Sequence, residues 1–273
     1  MANKQKTLIY PLFLSHLGCP FKCVYCDQAK ISGSTGFDLE QAQEEVSKFI
    51  ARNPGKMKQI AFYGGSFTSM AETSRDGILE KISAVCDDMT SFRISTHPLF
   101  VGEDVLRWCF SRRIRTIELG IQDFSDEVLR SSGRGYTGDD ARSAVHRVKD
   151  AGFETGVQLM PGLPGWSEAS LGENRKALAA LKPDLLRLYP LIVVKGTKLA
   201  ETFANGDYHP LTLIDAISQC ADYYPVVEAN GIKIIKVGLP SNLSESEIVA
   251  GPWHPAFGEL VKRELARRSD LNA

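Results

Sequence analysis

At 273 residues, with 43% apolar and 24% charged side chains, the chain is long enough for one large α/β domain or two small ones, each with a core. A formal net charge of −1 argues against non-specific nucleic-acid binding as the main task, although a local basic patch stays open. No apolar run reaches the ~20 residues of a bilayer span, and Met1-Ala2-Asn3-Lys4-Gln5-Lys6 shows no signal-peptide pattern, so no membrane contact and a reducing cytoplasmic location are expected.

In chain order, residues 6–14 are rich in large apolar side chains and predict a first strand, which runs into a cysteine-bearing loop. Residues 37–52 carry apolar side chains at helical spacing behind Asp38, a natural N-cap, and Asn53-Pro54-Gly55 closes that helix. A strand at 59–63 is stopped by Gly64-Gly65; a helix at 73–87 and a strand at 92–96 follow. Helix 103–110, strand 116–121, helices 125–132 and 138–150, strand 155–160, helix 167–181 and strand 185–189 complete the series. Beyond about 191 the rhythm changes: loops flank a short helix, 213–229 is helical, 232–239 is strand-like, and 259–268 forms a last helix.

Six strand–helix alternations without hairpin signals predict a parallel sheet. A doubly wound sheet and a partial or complete (β/α) barrel both fit the pattern. The barrel is preferred because the unusual residues all follow strands, the edge where barrels build active sites. The expected architecture is α/β, a partial (β/α)6 TIM-like barrel over 1–190, with an α+β extension over 191–273 packed on it.

Three thiols lie within Cys19-Pro20-Phe21-Lys22-Cys23-Val24-Tyr25-Cys26, at C-x3-C-x2-C spacing. Three thiolates on a tight loop suit three corners of an iron–sulfur cubane, and the missing fourth cysteine leaves one iron open. The competing reading is zinc, with His16 completing a Cys3His set. Structural zinc more often gathers separated ligand pairs that staple a small fold, and His16 continues the first strand. Plain core thiols are the third reading, disfavoured by Lys22 and Asp27 in the same loop.

Other polar positions close predicted strands. Tyr63-Gly64-Gly65-Ser66-Phe67 offers bare backbone to a ligand, or is an ordinary turn. Gln122 ends an apolar run, and Arg134 between Gly133 and Gly135 is able to pair with a carboxylate. Gln158 opens a Gln-Leu-Met-Pro-Gly-Leu-Pro-Gly segment, and Ser95 stands three residues before Pro98. His254, in a Gly-bounded turn, and Lys195 are the candidate catalytic groups, with capping and packing as the bland reading for His254. Cys86, Cys109 and Cys220 are scattered over helices and read as small buried hydrophobes. Arg112, Arg113 and Arg115 suit a helix end without any RNA.

The motif at 19–26 resembles the signature of the radical S-adenosylmethionine (SAM) superfamily, and residues 7–239 as a whole resemble its Elongator catalytic-subunit and anaerobic coproporphyrinogen-oxidase branches. The resemblance implies a barrel of the radical SAM type, a [4Fe–4S] cluster on Cys19, Cys23 and Cys26, and SAM on the open iron. It implies further that Tyr25 seats the adenine, that Gly64, Gly65 and Ser66 hold the methionine amino group, and that Gln122 and Arg134 contact ribose and carboxylate. Ser95 and Gln158 stand where relatives often carry carboxylates. A one-electron donor such as flavodoxin or ferredoxin is implied, with hydrogen abstraction from an RNA base or from a small metabolite such as a tetrapyrrole. The chain shows neither an acetyltransferase-like segment nor a long basic N-terminal extension for tRNA, so a wobble-uridine modification does not carry over. The rival from another class is a zinc-stapled, RNA-associated binding module.

Overall fold

The computed structural model describes residues 7–19, 21–32, 36–239 and 243–271; Lys6, expected in the first strand, and Pro20, inside the cysteine motif, lie outside them. The first half of the chain runs β1 (Leu8–Phe13), α1 (Gln28–Ser32), α2 (Leu39–Ala51), β2 (Lys58–Tyr63), α3 (Glu72–Ser83), β3 (Thr90–Thr96), α4 (Glu103–Ser111) and β4 (Ile114–Gln122). It continues with α5 (Asp126–Ser131), α6 (Gly138–Asp150), β5 (Glu154–Leu159), α7 (Glu168–Leu181) and β6 (Leu185–Leu188). The last part holds β7 (Val193–Val194), α8 (Lys198–Ala204), α9 (Leu213–Asp222), α10 (Tyr224–Ala229), β8 (Lys233–Val237), β9 (Ile248–Ala250) and α11 (Phe257–Leu271).

Among the described residues seven strands form one sheet in the order β1-β2-β3-β4-β5-β6-β8, every neighbouring pair parallel. The sheet curls into a half-barrel. Six strands were expected; the seventh, β8, comes from beyond residue 190 and pairs with β6. β7 and β9 form a separate antiparallel pair.

The helices are set by local chemistry. Asp38 caps α2 by accepting from the Gln41 amide at 3.0 Å, and Thr137 with Asp140 closes a capping box on α6. The helix expected over 213–229 is two helices: Pro225 lacks an amide hydrogen and sits in the first turn of α10, so the chain breaks at Tyr223.

Side chains on a strand alternate between faces. On β3 Phe92 and Ile94, and on β4 Ile117 and Leu119, are fully buried in the main apolar core. The alternate positions, Arg93, Ser95, Thr116 and Glu118, are polar and also buried, linked by hydrogen bonds among themselves and to Gln59, Glu154 and Gln158. The half-barrel therefore has an apolar outer face under its helices and a polar inner face.

Candidate functional site

The loop carrying Cys19, Cys23 and Cys26 is held at three places. Its first half interlocks with the turn after β2: the His16 amide donates to the Gly64 carbonyl at 3.0 Å, the Ser66 amide to the Leu17 carbonyl at 3.0 Å, and Ser69 Oγ to the Gly18 carbonyl at 2.5 Å. A Cβ on Gly65 would lie 2.3 Å from the Leu17 oxygen and 2.7 Å from that of Leu14, so the glycine is required by the approach of the two backbones. In its middle, the Phe21 ring lies 5.1 Å from the His97 ring, over Gly135, where a Cβ would meet it at 2.6 Å. Its second half is held by the Val24 amide donating to the Ser132 carbonyl at 3.3 Å and the Leu199 amide donating to the Val24 carbonyl at 2.8 Å.

Among the described residues no cysteine is in a disulfide; Cys19 is exposed, and Cys23 and Cys26 are half-buried. Although Cys19 is exposed as a residue, desolvation of its thiol raises its pKa, with Cys23 adding to the rise and Arg134 opposing it. Among the described residues no three His, Cys, Asp or Glu side chains converge as ligands of a single ion. A cubane differs in this respect, since it takes one thiolate on each of three irons. His16, the fourth ligand of the zinc reading, has a left-handed backbone, φ 57°, and is exposed.

Gln122 lies where β4 bulges. The register with β5 slips between Leu119 and Gln122, and the bulge re-aims the strand end. Gln122 has φ 68°, unfavourable for a residue with a side chain by about 1–2 kcal/mol. Among the described residues its Oε1 is buried without a hydrogen-bond partner. Beside it Arg134 is buried, its Nη1 donating to Cys23 Sγ at 3.0 Å and its Nη2 to the Gly120 carbonyl. Tyr136 Oη donates to the Ile121 carbonyl at 2.5 Å, so the bulge carbonyls are satisfied from the α5–α6 connection. The His97 ring, whose pKa burial and then Arg134 push down to about 3, stays neutral.

Deeper along the inner face lies a network absent from the sequence expectations. Glu118, 1% exposed, accepts from Arg93 Nη1 at 2.8 Å, Arg187 Nε at 2.5 Å and Tyr63 Oη at 3.1 Å. Burial alone would raise its carboxyl, but Arg187 and Arg93 outweigh that and hold it below the usual range. Arg187 also donates to Tyr63 Oη at 2.8 Å and Tyr189 Oη at 3.2 Å. The signal was present in the sequence: Phe92-Arg93-Ile94, Ile117-Glu118-Leu119 and Leu186-Arg187-Leu188 each set one charge inside an apolar strand.

The remaining expected site residues separate. Ser95 and Gln158 meet this network, Gln158 Nε2 reaching Ser95 Oγ at 3.5 Å and Glu118 Oε2 at 3.4 Å. The Ser66 hydroxyl joins Thr96 Oγ1 at 3.1 Å and accepts from the His97 amide at 3.1 Å, so it already serves the protein. Tyr25 is 6% exposed in an apolar cluster with Leu163, Leu191, Leu199 and Tyr208. Lys195 is exposed, and its carbonyl accepts from Lys30 Nζ at 2.7 Å. His254 Nδ1 accepts from the Ala256 amide at 3.0 Å, capping the start of α11.

Residues 14–178 match the family model described as the radical SAM superfamily, and residues 183–267 the one described as the radical SAM C-terminal domain. The chain belongs to the radical SAM superfamily. Its cofactors are accordingly a [4Fe–4S] cluster and SAM, and it is an enzyme. The tRNA uridine(34) acetyltransferase of Methanocaldococcus jannaschii is 27% identical over 64% of this chain and 32% of its own length. The heme chaperone HemW of Bacillus subtilis is 26% identical over 78% of this chain and 59% of its own length. The chain thus spans about a third of the first relative and three fifths of the second. In fold it is similar to the archaeal Methanocaldococcus infernus Elp3, at TM-score 0.77 and 18% identity over 97% of this chain and 64% of that one. Coproporphyrinogen III oxidase (HemN) from Escherichia coli gives TM-score 0.52 at 16% identity over 97% of this chain and 53% of that one. Among the described residues no helix is long and apolar enough to cross a membrane.

The residues present fit those cofactors. Three thiols share one short loop, a buried cation stands against one of them, and a buried amide oxygen is unsatisfied at the adjoining strand end.

Proposed function

We propose that this chain is a radical SAM enzyme whose Cys19, Cys23 and Cys26 hold three irons of the cluster and whose substrate presents a neutral ring, as an RNA base does. The supporting observation is convergence: the cysteine loop, the Gly64-Gly65 turn, Gln122 and Arg134 all stand at the carboxyl edge of one parallel sheet, joined by hydrogen bonds and short contacts. A [4Fe–4S] cluster held by Cys19, Cys23 and Cys26 would supply one-electron reductive cleavage of SAM and, through it, hydrogen abstraction from the substrate. The chemistry requires a one-electron donor, in our reading a flavodoxin or ferredoxin.

The chain's own residues bind and aim. Gly64 and Gly65 bring bare backbone to the methionine amino group, the Gln122 amide meets ribose hydroxyls, and an Arg134 hydrogen reaches the carboxylate. Tyr25 anchors the loop from beneath, packed with Leu163, Leu191 and Leu199. On the inner face two arginines, Arg93 and Arg187, are balanced by Glu118 and Glu154. An additional carboxylate would enter without an uncompensated cation, whereas Tyr189 Oη and the Gln158 amide suit a neutral acceptor. Burial raises the Tyr189 pKa, so its hydroxyl keeps its proton. This balance favours a base over a polycarboxylate tetrapyrrole.

Anaerobic reconstitution with iron and sulfide, then dithionite and SAM, tests the reading. Iron bound in cluster form and release of 5′-deoxyadenosine are expected, with both lost in Cys23→Ala. Total tRNA should stimulate release and coproporphyrinogen should not. One zinc without iron after anaerobic purification, or stimulation by the tetrapyrrole alone, would sink the corresponding half of the proposal.

A further inference from the structure

Arg134 is 6% exposed, and among the described residues no carboxylate lies within ion-pairing distance of it, in contrast to Arg93 and Arg187, which share Glu118. A guanidinium taken out of water without an anion is strongly unfavourable, so its counter-charge has to come from elsewhere. Its five hydrogens show where. Nε donates to Tyr136 Oη at 3.1 Å, Nη1 to Cys23 Sγ at 3.0 Å and Tyr25 Oη at 3.5 Å, and Nη2 to the Gly120 carbonyl. One Nη2 hydrogen is left for a ligand carboxylate. Apart from the sulfur these acceptors are neutral, and as a cluster ligand Cys23 would present that sulfur as the anionic partner.

We propose that Arg134 is a positioning residue that sets the reduction potential of the cluster: it donates a hydrogen bond to the Cys23 sulfur and supplies the counter-charge for the electron the cluster receives. The proposal rests on the reading that Cys23 is a cluster ligand. On reduction one electron arrives from the donor and the cluster becomes more negative, with no bond in the protein made or broken. A fixed cation and a hydrogen bond to the sulfur stabilise that reduced form more than the oxidised one, and the low-dielectric surroundings strengthen both effects. His97, packed edge-on against Tyr136 with ring centroids 4.9 Å apart, is neutral and contributes no second charge. The geometry is also fixed from outside the loop. Tyr136 and Gly120 hold the guanidinium from the α5–α6 connection and the β4 bulge.

The test uses the full chain, reconstituted anaerobically as wild type, Arg134→Met, Arg134→Lys and Cys23→Ala. Iron per chain is measured, and the midpoint potential is read by dithionite titration followed by EPR. Arg134→Met should shift the midpoint to a more negative value, and Arg134→Lys, which keeps the charge but loses the planar fork, should lie between it and wild type. A wild-type midpoint in Arg134→Met at full iron content overturns the proposal. If Arg134→Met fails to fold, Arg134→Lys is decisive: a lowered midpoint supports the proposal and an unchanged one overturns it. Full iron content in Cys23→Ala would remove the ligand reading itself, whatever Arg134 does.

Discussion

Asp123 stands directly after Gln122 and is 1% exposed, and among the described residues no cation pairs with it. Its Oδ1 accepts from the Ser125 amide and its Oδ2 from Asn174 Nδ2, both at 2.8 Å. Burial pushes its pKa up to about 6, against the pull of Asn174 and the backbone amides. A carboxyl raised in the folded state stabilises the fold below its unfolded pKa, and that contribution is lost as pH rises through about 6. The wild type should lose stability between about pH 4 and 7, by at most ~3 kcal/mol from this group. Asp123→Asn should flatten that loss in denaturant titrations. It should also cost about 1 kcal/mol at low pH, because its amide hydrogens would face those of Asn174, whose own oxygen is held by the Phe124 amide at 2.8 Å. An unchanged pH slope in the variant would assign the effect to another group. Among single residues, Gln122 and Arg134 were legible because each breaks a local pattern, a polar end to an apolar run and an arginine between glycines. The Asp123 carboxyl was not, since its burial depends on Asn174, which is 51 residues away.

The element that organises the site is the interlock between the cysteine loop and the turn after β2. Gly65 lacks the positive φ of Gly64, so what it provides there is space: a Cβ would strike two backbone oxygens that have nowhere to move without displacing the loop. Gly65→Ala should therefore cost about 1–3 kcal/mol in urea unfolding of the unloaded chain and lower iron retention after reconstitution. Gly172, in α7, is the contrast, since a Cβ there meets nothing within 4 Å. Gly172→Ala should stabilise by up to about 1 kcal/mol and leave iron content unchanged. Equal behaviour of the two variants would mean that the interlock does not hold the loop. The Thr137–Asp140 capping box of α6 came only from the structure, whereas the α2 helix behind its Asp38 cap was readable as sequence. The break between α9 and α10 was also written there, in Pro225, but the apolar periodicity on both sides masks it.

Across the whole molecule, the polar inner face distinguishes this half-barrel from a closed barrel packed with branched apolar residues. Glu118 is its centre, since it binds Arg93 and Arg187 at once. Its lowered carboxyl contributes stability above the unfolded pKa, and this is lost as pH falls through the folded value. Glu118→Gln should cost about 3–5 kcal/mol near neutral pH by leaving both arginines without their central anion. The variant should also lose the acid-side slope that the wild type shows in denaturant titrations; a variant as stable as wild type would mean that the network is solvated. By itself the sequence determined the strand–helix alternation, the parallel sheet that follows from it, and the close spacing of Cys19, Cys23 and Cys26. These rest on periodicities and spacings of a few residues. Only the tertiary structure decided that β8 joins β6, that Arg93, Glu118 and Arg187 meet inside the sheet, and that Arg134 reaches Cys23 from 111 positions away. Each of those depends on the register and curl that set strands distant in sequence side by side, and no local pattern encodes them.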